Sequence, residues 1–291
     1  MRRLNKKTIR IFGLLVIILV ASLIVFAMWL YSGSLNDTKI KIFTALPLPV
    51  ASVNGKALYL PNYILRLKTY EQLSKNKLAS QSPEEAKKAI FAQMVLDEEV
   101  IEISSRHGIS VNKNEIEAEY LNLASASGQG VQNSLIQFLD TYGLSKNSYE
   151  QYAIKPRLLA VKLLVWFNSR AEFNPKQHAL AKSLVEQIKS GQDMVSLAKQ
   201  FTQEDVGKII GGDLGFIDPT KLLLEMREPV YAMNIGDVAI VPSRAGIHII
   251  KLEEKQANEY HLRQIFLLPE DFNAWLETQI KDFKIYKLIN F

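Results

Sequence analysis

Few side chains in this sequence offer reactive chemistry. There are four histidines and no cysteine. None of His107, His178, His248 and His261 stands in a zinc-ligand spacing, and there is no phosphate-cradling loop, dinucleotide fingerprint or nucleophile elbow. Neither a metal nor a cofactor is expected. Two segments near the C-terminus stand out: Gly211-Gly212-Asp213-Leu214-Gly215-Phe216, and Ala245-Gly246-Ile247-His248-Ile249-Ile250-Lys251. The first is a glycine-rich turn entering a strand. The second is a strand with one imidazole in an apolar run. On its own pattern His248 is a core histidine, while Glu204 and Asp205 stay open between ordinary loop charges and site groups. What these residue types supply is hydrogen bonding and local polarity.

The elements that position these residues follow from periodicity and capping. Asn54-Gly55, between short apolar runs in residues 50–60, predicts a two-residue hairpin because both residues tolerate positive φ. Pro61 suits the first turn of a helix to about residue 78. Ser82-Pro83-Glu84-Glu85 is a capping box with proline at the first helical position. Gly108 is placed to end that helix in the left-handed region. Asn112 with Glu115 opens another helix, and a Ser/Gly stretch over 125–130 separates it from one near 131–142. Ser145 caps a long helix to 168, expected to kink at Pro156. The apolar run 158–167 is too broad for one stripe. It fits a helix buried on most sides or a groove for unfolded polypeptide. Beyond Phe173 the pattern gives a helix over 176–189 and a short one capped by Asp193. Strands follow at 212–217, 238–241, 246–253 and 261–268, then a terminal helix from Pro269 to about 283.

Arg2, Arg3, Lys6, Lys7 and Arg10 account for the whole formal charge of +5. The remainder is neutral overall and offers no nucleic-acid footprint. Residues 11–31 carry no charge, and about 20 apolar residues suffice to cross a bilayer as a helix. The exit Met28-Trp29-Leu30-Tyr31 is bulky and aromatic, unlike a cleavage site. A single-pass cell-membrane anchor in the lipid bilayer through residues 11–31 is therefore expected, with a cytoplasmic N-terminus and an extracytoplasmic bulk. The expected class is α+β. A basic tip and transmembrane helix occupy 1–34 and a linker 35–48. A mostly helical domain spans 49–170, a domain with a four-stranded antiparallel sheet and flanking helices 171–268, and a C-terminal helix 269–291.

The glycine-rich turn and the His248 strand together resemble the second half of a parvulin-type prolyl isomerase domain. The helix, Gly191-Gln192-Asp193, helix pattern before them adds to the resemblance. Residues 46–170 resemble the N-terminal domain of SurA-like and PrsA-like extracytoplasmic foldases. That match rests on the Val53-Asn54-Gly55 hairpin, the capped helix and the step Gly108-Ile109-Ser110-Val111-Asn112. A parvulin domain opens with a strand of the form Arg-His-Ile-Leu. Here that region holds Gln177-His178-Ala179-Leu180, and Gly191 ends the helix soon after. Leu262-Arg263-Gln264-Ile265-Phe266-Leu267 reads like the missing strand. A circularly permuted domain is expected, its last strand beside the His248 strand.

The resemblance implies a site. Its two core histidine positions fall at His248 and Gln264, and the position held by Cys or Asp falls at Glu204 or Asp205. The proline pocket falls at Leu214, Phe216, Leu222 and Met226. Gln264 donates and accepts but cannot titrate, and Met226 is a softer wall than phenylalanine, so weakened catalysis is expected. The implied partners are unfolded or partly folded polypeptides with X-Pro bonds. Three functions stay open: an anchored prolyl isomerase that also chaperones, a holdase with a degenerate parvulin domain, and an accessory subunit of an envelope translocation or assembly complex.

Overall fold

A computed structural model describes residues 6–33, 35–46, 48–75, 81–125, 132–141 and 143–290, with the side chains of 6–14, 125 and 132–134 outside the description. The chain divides into two compact units. The first comprises Met1–Glu99, Asn114–Lys155 and Asp282–Phe291, the second Val100–Lys113 and Pro156–Lys281.

In the first unit α1 (Lys6–Tyr31) and α2 (Asp37–Ala45) lead to β1 (Pro49–Val53) and β2 (Lys56–Tyr59). Asn54 at φ 47° and Gly55 at φ 82° make the expected turn. Next come α3 (Leu60–Lys75), α4 (Pro83–Arg106), which belongs to the second unit from Val100 onward, α5 (Lys113–Ser125), which belongs to the first unit from Asn114 onward, α6 (Gln132–Thr141) and α7 (Lys146–Tyr149). The capping box forms as expected: the Ser82 N–H donates to Glu85 Oε2 at 2.9 Å, and the Glu85 N–H reaches Ser82 Oγ at 3.4 Å. The expected Ser/Gly separator falls, beyond residue 125, outside the described residues. Leu30, Phe43, Val50, Leu60, Met94 and Ile289 belong to one core cluster.

The structure departs from the sequence expectations in four places. A helix, α2, stands where a linker was expected: the Asn36 side chain caps it at Lys39 N–H, 3.0 Å away, and Phe43 is only 1% exposed. Residues 282–291 group with the first unit, because β7 (Ile285–Lys287) pairs antiparallel with β1. Instead of a simple proline kink, α7 runs through a π-helical segment, Glu150–Ile154, into α8 (Lys155–Ser169). Proline lacks the N–H that would bond the carbonyl four residues back, and the Tyr152 carbonyl accepts from Arg66 Nη2 at 2.9 Å. In the apolar run, Leu159, Leu163 and Phe167 form a buried stripe while Leu158, Val161, Leu164 and Val165 are half-buried. Among the described residues no helix is long and apolar enough to cross a membrane. The described side chains of α1 begin at Leu15.

The second unit continues with α9 (Pro175–Lys189), α10 (Met194–Phe201), α11 (Asp205–Ile209), β3 (Asp213–Ile217) and a 3-10 turn (Pro219–Lys221). α12 (Leu224–Tyr231), β4 (Val238–Pro242), β5 (Ile247–Gln256), β6 (Glu259–Leu267) and α13 (Phe272–Ile280) complete it. Its sheet has the order β3-β6-β5-β4, antiparallel at every step. The last strand in sequence thus lies in the middle, and His248 sits opposite Phe266 and Ile250 opposite Gln264. Successive side chains on a strand point to opposite faces. Ile247, Ile249, Ile265 and Leu267 pack on Ala181, Leu184 and Leu197. On the other face Ile250, Leu252 and Leu262 pack on Met226 and Val230. His248 and Gln264 belong to this second face.

Candidate functional site

A line of polar side chains crosses that face. Ser243 Oγ lies 2.8 Å from His248 Nε2, His248 Nδ1 3.0 Å from Gln264 Oε1, and Gln264 Nε2 donates to Glu204 Oε2 at 3.4 Å. His248 is buried and Glu204 exposed, so the line runs from the interior to solvent. Burial pushes the His248 imidazole below its ordinary pKa, against the opposing pull of the Gln264 bond and the Glu204 and Glu225 carboxylates. The group is thus a neutral hydrogen-bonding element.

Each member is held by its own element. The Ser243–Gly246 turn closes with Ser243 N–H to Gly246 O at 2.8 Å, and the Ala245 N–H donates to Ser243 Oγ at 3.0 Å. Behind it the fully buried Asn168 donates through Nδ2 to Ser243 O at 2.7 Å. His178 Nε2 in turn donates to Asn168 O at 2.9 Å. Glu225 Oε1 accepts the Arg244 N–H at 2.8 Å, tying the start of α12 to the same turn. Thr202 Oγ1 accepts the Phe266 N–H at 2.9 Å, and the Gln203 N–H donates to Phe266 O at 2.8 Å. These last bonds fix the segment that carries Glu204. At Gly212, φ is +74° and a Cβ would lie 2.1 Å from Gln264 O. Only glycine lets the β3 entry meet β6 there.

The expected pocket residues divide. Leu214, Leu222 and Met226 share the apolar cluster with Ile250 and Leu262, on the face that carries His248 and Gln264. Phe216 does not join them. It pairs with His261 across β3 and β6, the rings 5.0 Å apart. The register shifts between Asp213 and Gly215, and an extra residue in a strand turns the side chains beyond it to the opposite face. Asp205 opens α11, and no bond joins it to the polar line among the described residues. Sequence reasoning missed Ser243, Asn168 and Thr202. His178, given no role from the sequence, is a buried support for Asn168.

On the reverse face Arg263 clasps the sheet. Its Nη1 donates to Gly211 O and its Nε to Glu253 Oε1, both at 2.9 Å, and its Nη2 reaches Asp213 Oδ2 at 3.1 Å. Burial works against the Asp213 carboxylate, yet the Gly215 N–H, His261 and Arg263 together hold it below its ordinary pKa.

Residues 1–164 match a SurA-like N-terminal domain, and residues 142–256 match a PPIC-type PPIASE domain. A foldase protein PrsA from Geobacillus sp. (strain WCH70) is 29% identical over 151 residues, covering 48% of this chain and 50% of the relative. A chaperone SurA from Chromohalobacter salexigens is 25% identical over 154 residues, 49% of this chain and 34% of that one. The chain spans about half the length, or less, of these curated relatives. A solved PrsA peptidylprolyl isomerase from Bacillus cereus is similar at 18% identity and a TM-score of 0.26, over 78% of this chain and 80% of its own. Since the SurA-like match takes in more than half of the sequence and the PPIC-type match runs on behind it, the chain belongs to the SurA-like N-terminal domain family and carries a PPIC-type domain.

Proposed function

We propose that the second unit is a parvulin-type peptidyl-prolyl cis-trans isomerase acting on X-Pro bonds of unfolded clients at the face that carries His248 and Gln264. The observation that carries this reading is the line Ser243, His248, Gln264, Glu204 on the face shared with Leu214, Leu222 and Met226. Resonance in the peptide bond sets a rotation barrier of about 18–20 kcal/mol, and an enzyme lowers it by favouring the twisted state in which that resonance is lost. The apolar side chains hold the proline ring. Glu204, at the solvent end, sets the polarity near the twisting amide. His248 and Ser243 orient Gln264 from behind.

The central position of β6 supports a circular permutation, in which the strand that opens a parvulin closes this domain. The PPIC-type match ends at residue 256, before β6 begins at Glu259. The protein is further read as an extracytoplasmic foldase for secreted or envelope proteins, anchored through residues 11–31. The charge-free run and the exposed apolar side chains of α1 from Leu15 to Trp29 support this, as do relatives named foldase.

A second reading, a holdase without catalysis, is favoured by glutamine at 264 and methionine at 226. The discriminating measurement is cis-trans isomerisation of a proline tetrapeptide by the full chain. Acceleration that falls in Glu204→Ala and Met226→Ala supports the isomerase. An uncatalysed rate, together with suppressed aggregation of an unfolded client, replaces it with the holdase.

A further inference from the structure

α1 does not leave the first unit on a slack tether. Trp29 is 41% exposed and the next residue, Leu30, only 3%. Leu30 lies in the same core as Phe43, Val50 and Met94. Tyr31 Oη donates to Pro49 O at 3.1 Å, and its ring meets Phe43 edge-on at 5.4 Å. Lys39, 5% exposed, turns back so that its ammonium bonds the Ser32 carbonyl and lies 5.4 Å from the Trp29 ring centroid. Trp29 O accepts from Ser32 Oγ at 3.1 Å. The last carbonyls of a helix lack intrahelical donors and carry its negative dipole end. Here the Ser32 hydroxyl satisfies the Trp29 carbonyl, and the lysine ammonium bonds the carbonyl of the residue that follows the helix.

Just before this junction the helix is bare. Leu15, Val16, Ile17, Ile18, Leu19 and Val20 are consecutive and all exposed. At 3.6 residues per turn they cover the whole circumference. One partner helix covers a single stripe, whereas a bilayer covers every side. The exposed Trp29 indole is suited to the lipid–water boundary, and the buried Lys39 braces it from behind.

We infer that Trp29, Tyr31 and Lys39 form a rigid collar seated at the surface of a lipid bilayer, which holds the first unit at a fixed height and tilt above its anchor. This rests on the anchored reading given above. A free tether over residues 32–48 would have a root-mean-square span of roughly 20–25 Å, taking ~5–6 Å times the square root of its length. The collar removes that freedom, so any client-binding surface of the first unit stays at a set distance from the membrane.

The absence of cysteine allows spin labels at Val25→Cys and Lys56→Cys in the full chain, reconstituted in phosphatidylethanolamine and phosphatidylglycerol nanodiscs. A single narrow distance distribution is expected, and Lys39→Ala broadens it about two-fold or more toward the tether limit. Lys39→Ala protein with unchanged circular dichroism keeps that comparison free of unfolding. A distribution already spread over the tether scale with Lys39 present overturns the collar, as does a narrow one that Lys39→Ala leaves unchanged. Liposome flotation separates the two readings: a chain that stays in solution overturns the anchor itself. Intermolecular dipolar coupling from Val25→Cys alone, at one chain per disc volume and above, overturns lipid as the occupant in favour of a second copy.

Discussion

His248 on β5 and Gln264 on β6 share a hydrogen bond of 3.0 Å whose direction is fixed by its neighbours. The amide oxygen of Gln264 only accepts, so His248 Nδ1 carries the proton. His248 Nε2 is then the acceptor, and the Ser243 hydroxyl donates to it at 2.8 Å while accepting the Ala245 N–H at 3.0 Å. The Gln264 amide nitrogen is left facing the Glu204 carboxylate. Every donor in the line points toward Glu204, and the glutamine transmits that order without a titratable proton of its own.

Replacing Gln264 tests this order. Gln264→Leu strands the buried His248 Nδ1–H and frees Glu204. The net worth of such a bond is about 1 kcal/mol, so kcat/KM for a proline peptide is expected to fall about five- to ten-fold. Gln264→His restores a donor and acceptor at this point and is expected to keep or raise the activity. Progress curves of peptide isomerisation check both variants.

The same burial predicts how stability depends on pH. Folding lowers the His248 pKa, because the buried site disfavours the charged ring. An unfolded chain binds that proton near pH 6.5, so between the two values the unfolded state holds more protons and stability rises with pH. The contribution is complete above the unfolded value and is lost as pH falls through it toward the folded one. Urea unfolding at a series of pH values between about 7 and 5 is expected to show this decline, flattened in His248→Gln.

Much of this arrangement was legible in the sequence. The glycine-rich turn, the apolar His248 strand and the Leu262–Leu267 run placed three neighbouring strands, because β-branched runs and turn glycines act locally. Ser243 was not legible: its supporting partner, Asn168, is 75 residues away in sequence, and neither residue type is distinctive. The side taken by Phe216 was hidden because it depends on one irregular pairing after Asp213. β7 escaped because all three of its residues are exposed, which erases the alternation that marks a half-buried strand. α2 was masked by nearby prolines, although Asn36 and Asp37 provide a cap and a favourable first turn.

Gly212 and Gly215 make a controlled pair. Both have positive φ, +74° and +65°, but a Cβ at Gly212 would meet Gln264 O at 2.1 Å while one at Gly215 meets nothing within 4 Å. Gly215→Ala is expected to cost about 1–2 kcal/mol, the price of the left-handed backbone alone. Gly212→Ala adds displacement of β6 and is expected to exceed it by about 2 kcal/mol or more. It should also lower isomerase activity, because Gln264 moves. Thermal unfolding and the peptide assay on the two variants separate backbone strain from the steric term.

The first unit offers a test of a buried charge. Arg66 pairs with Asp97, and its Nε donates to Asn62 Oδ1 at 2.8 Å and its Nη2 to Tyr152 O at 2.9 Å. Burial raises the Asp97 pKa despite the attraction of Arg66, so the carboxylate depends on its partner. Arg66→Met removes the cation and leaves three acceptors behind, at an expected cost of about 3–5 kcal/mol. Asp97→Asn keeps an acceptor for the guanidinium and is expected to cost about 1–2 kcal/mol. The double variant should then be more stable than the sum of the single losses implies, because the stranded carboxylate is gone. Urea midpoints for the four proteins decide it: additive losses would mean that the pair is solvated and the carboxylate never isolated.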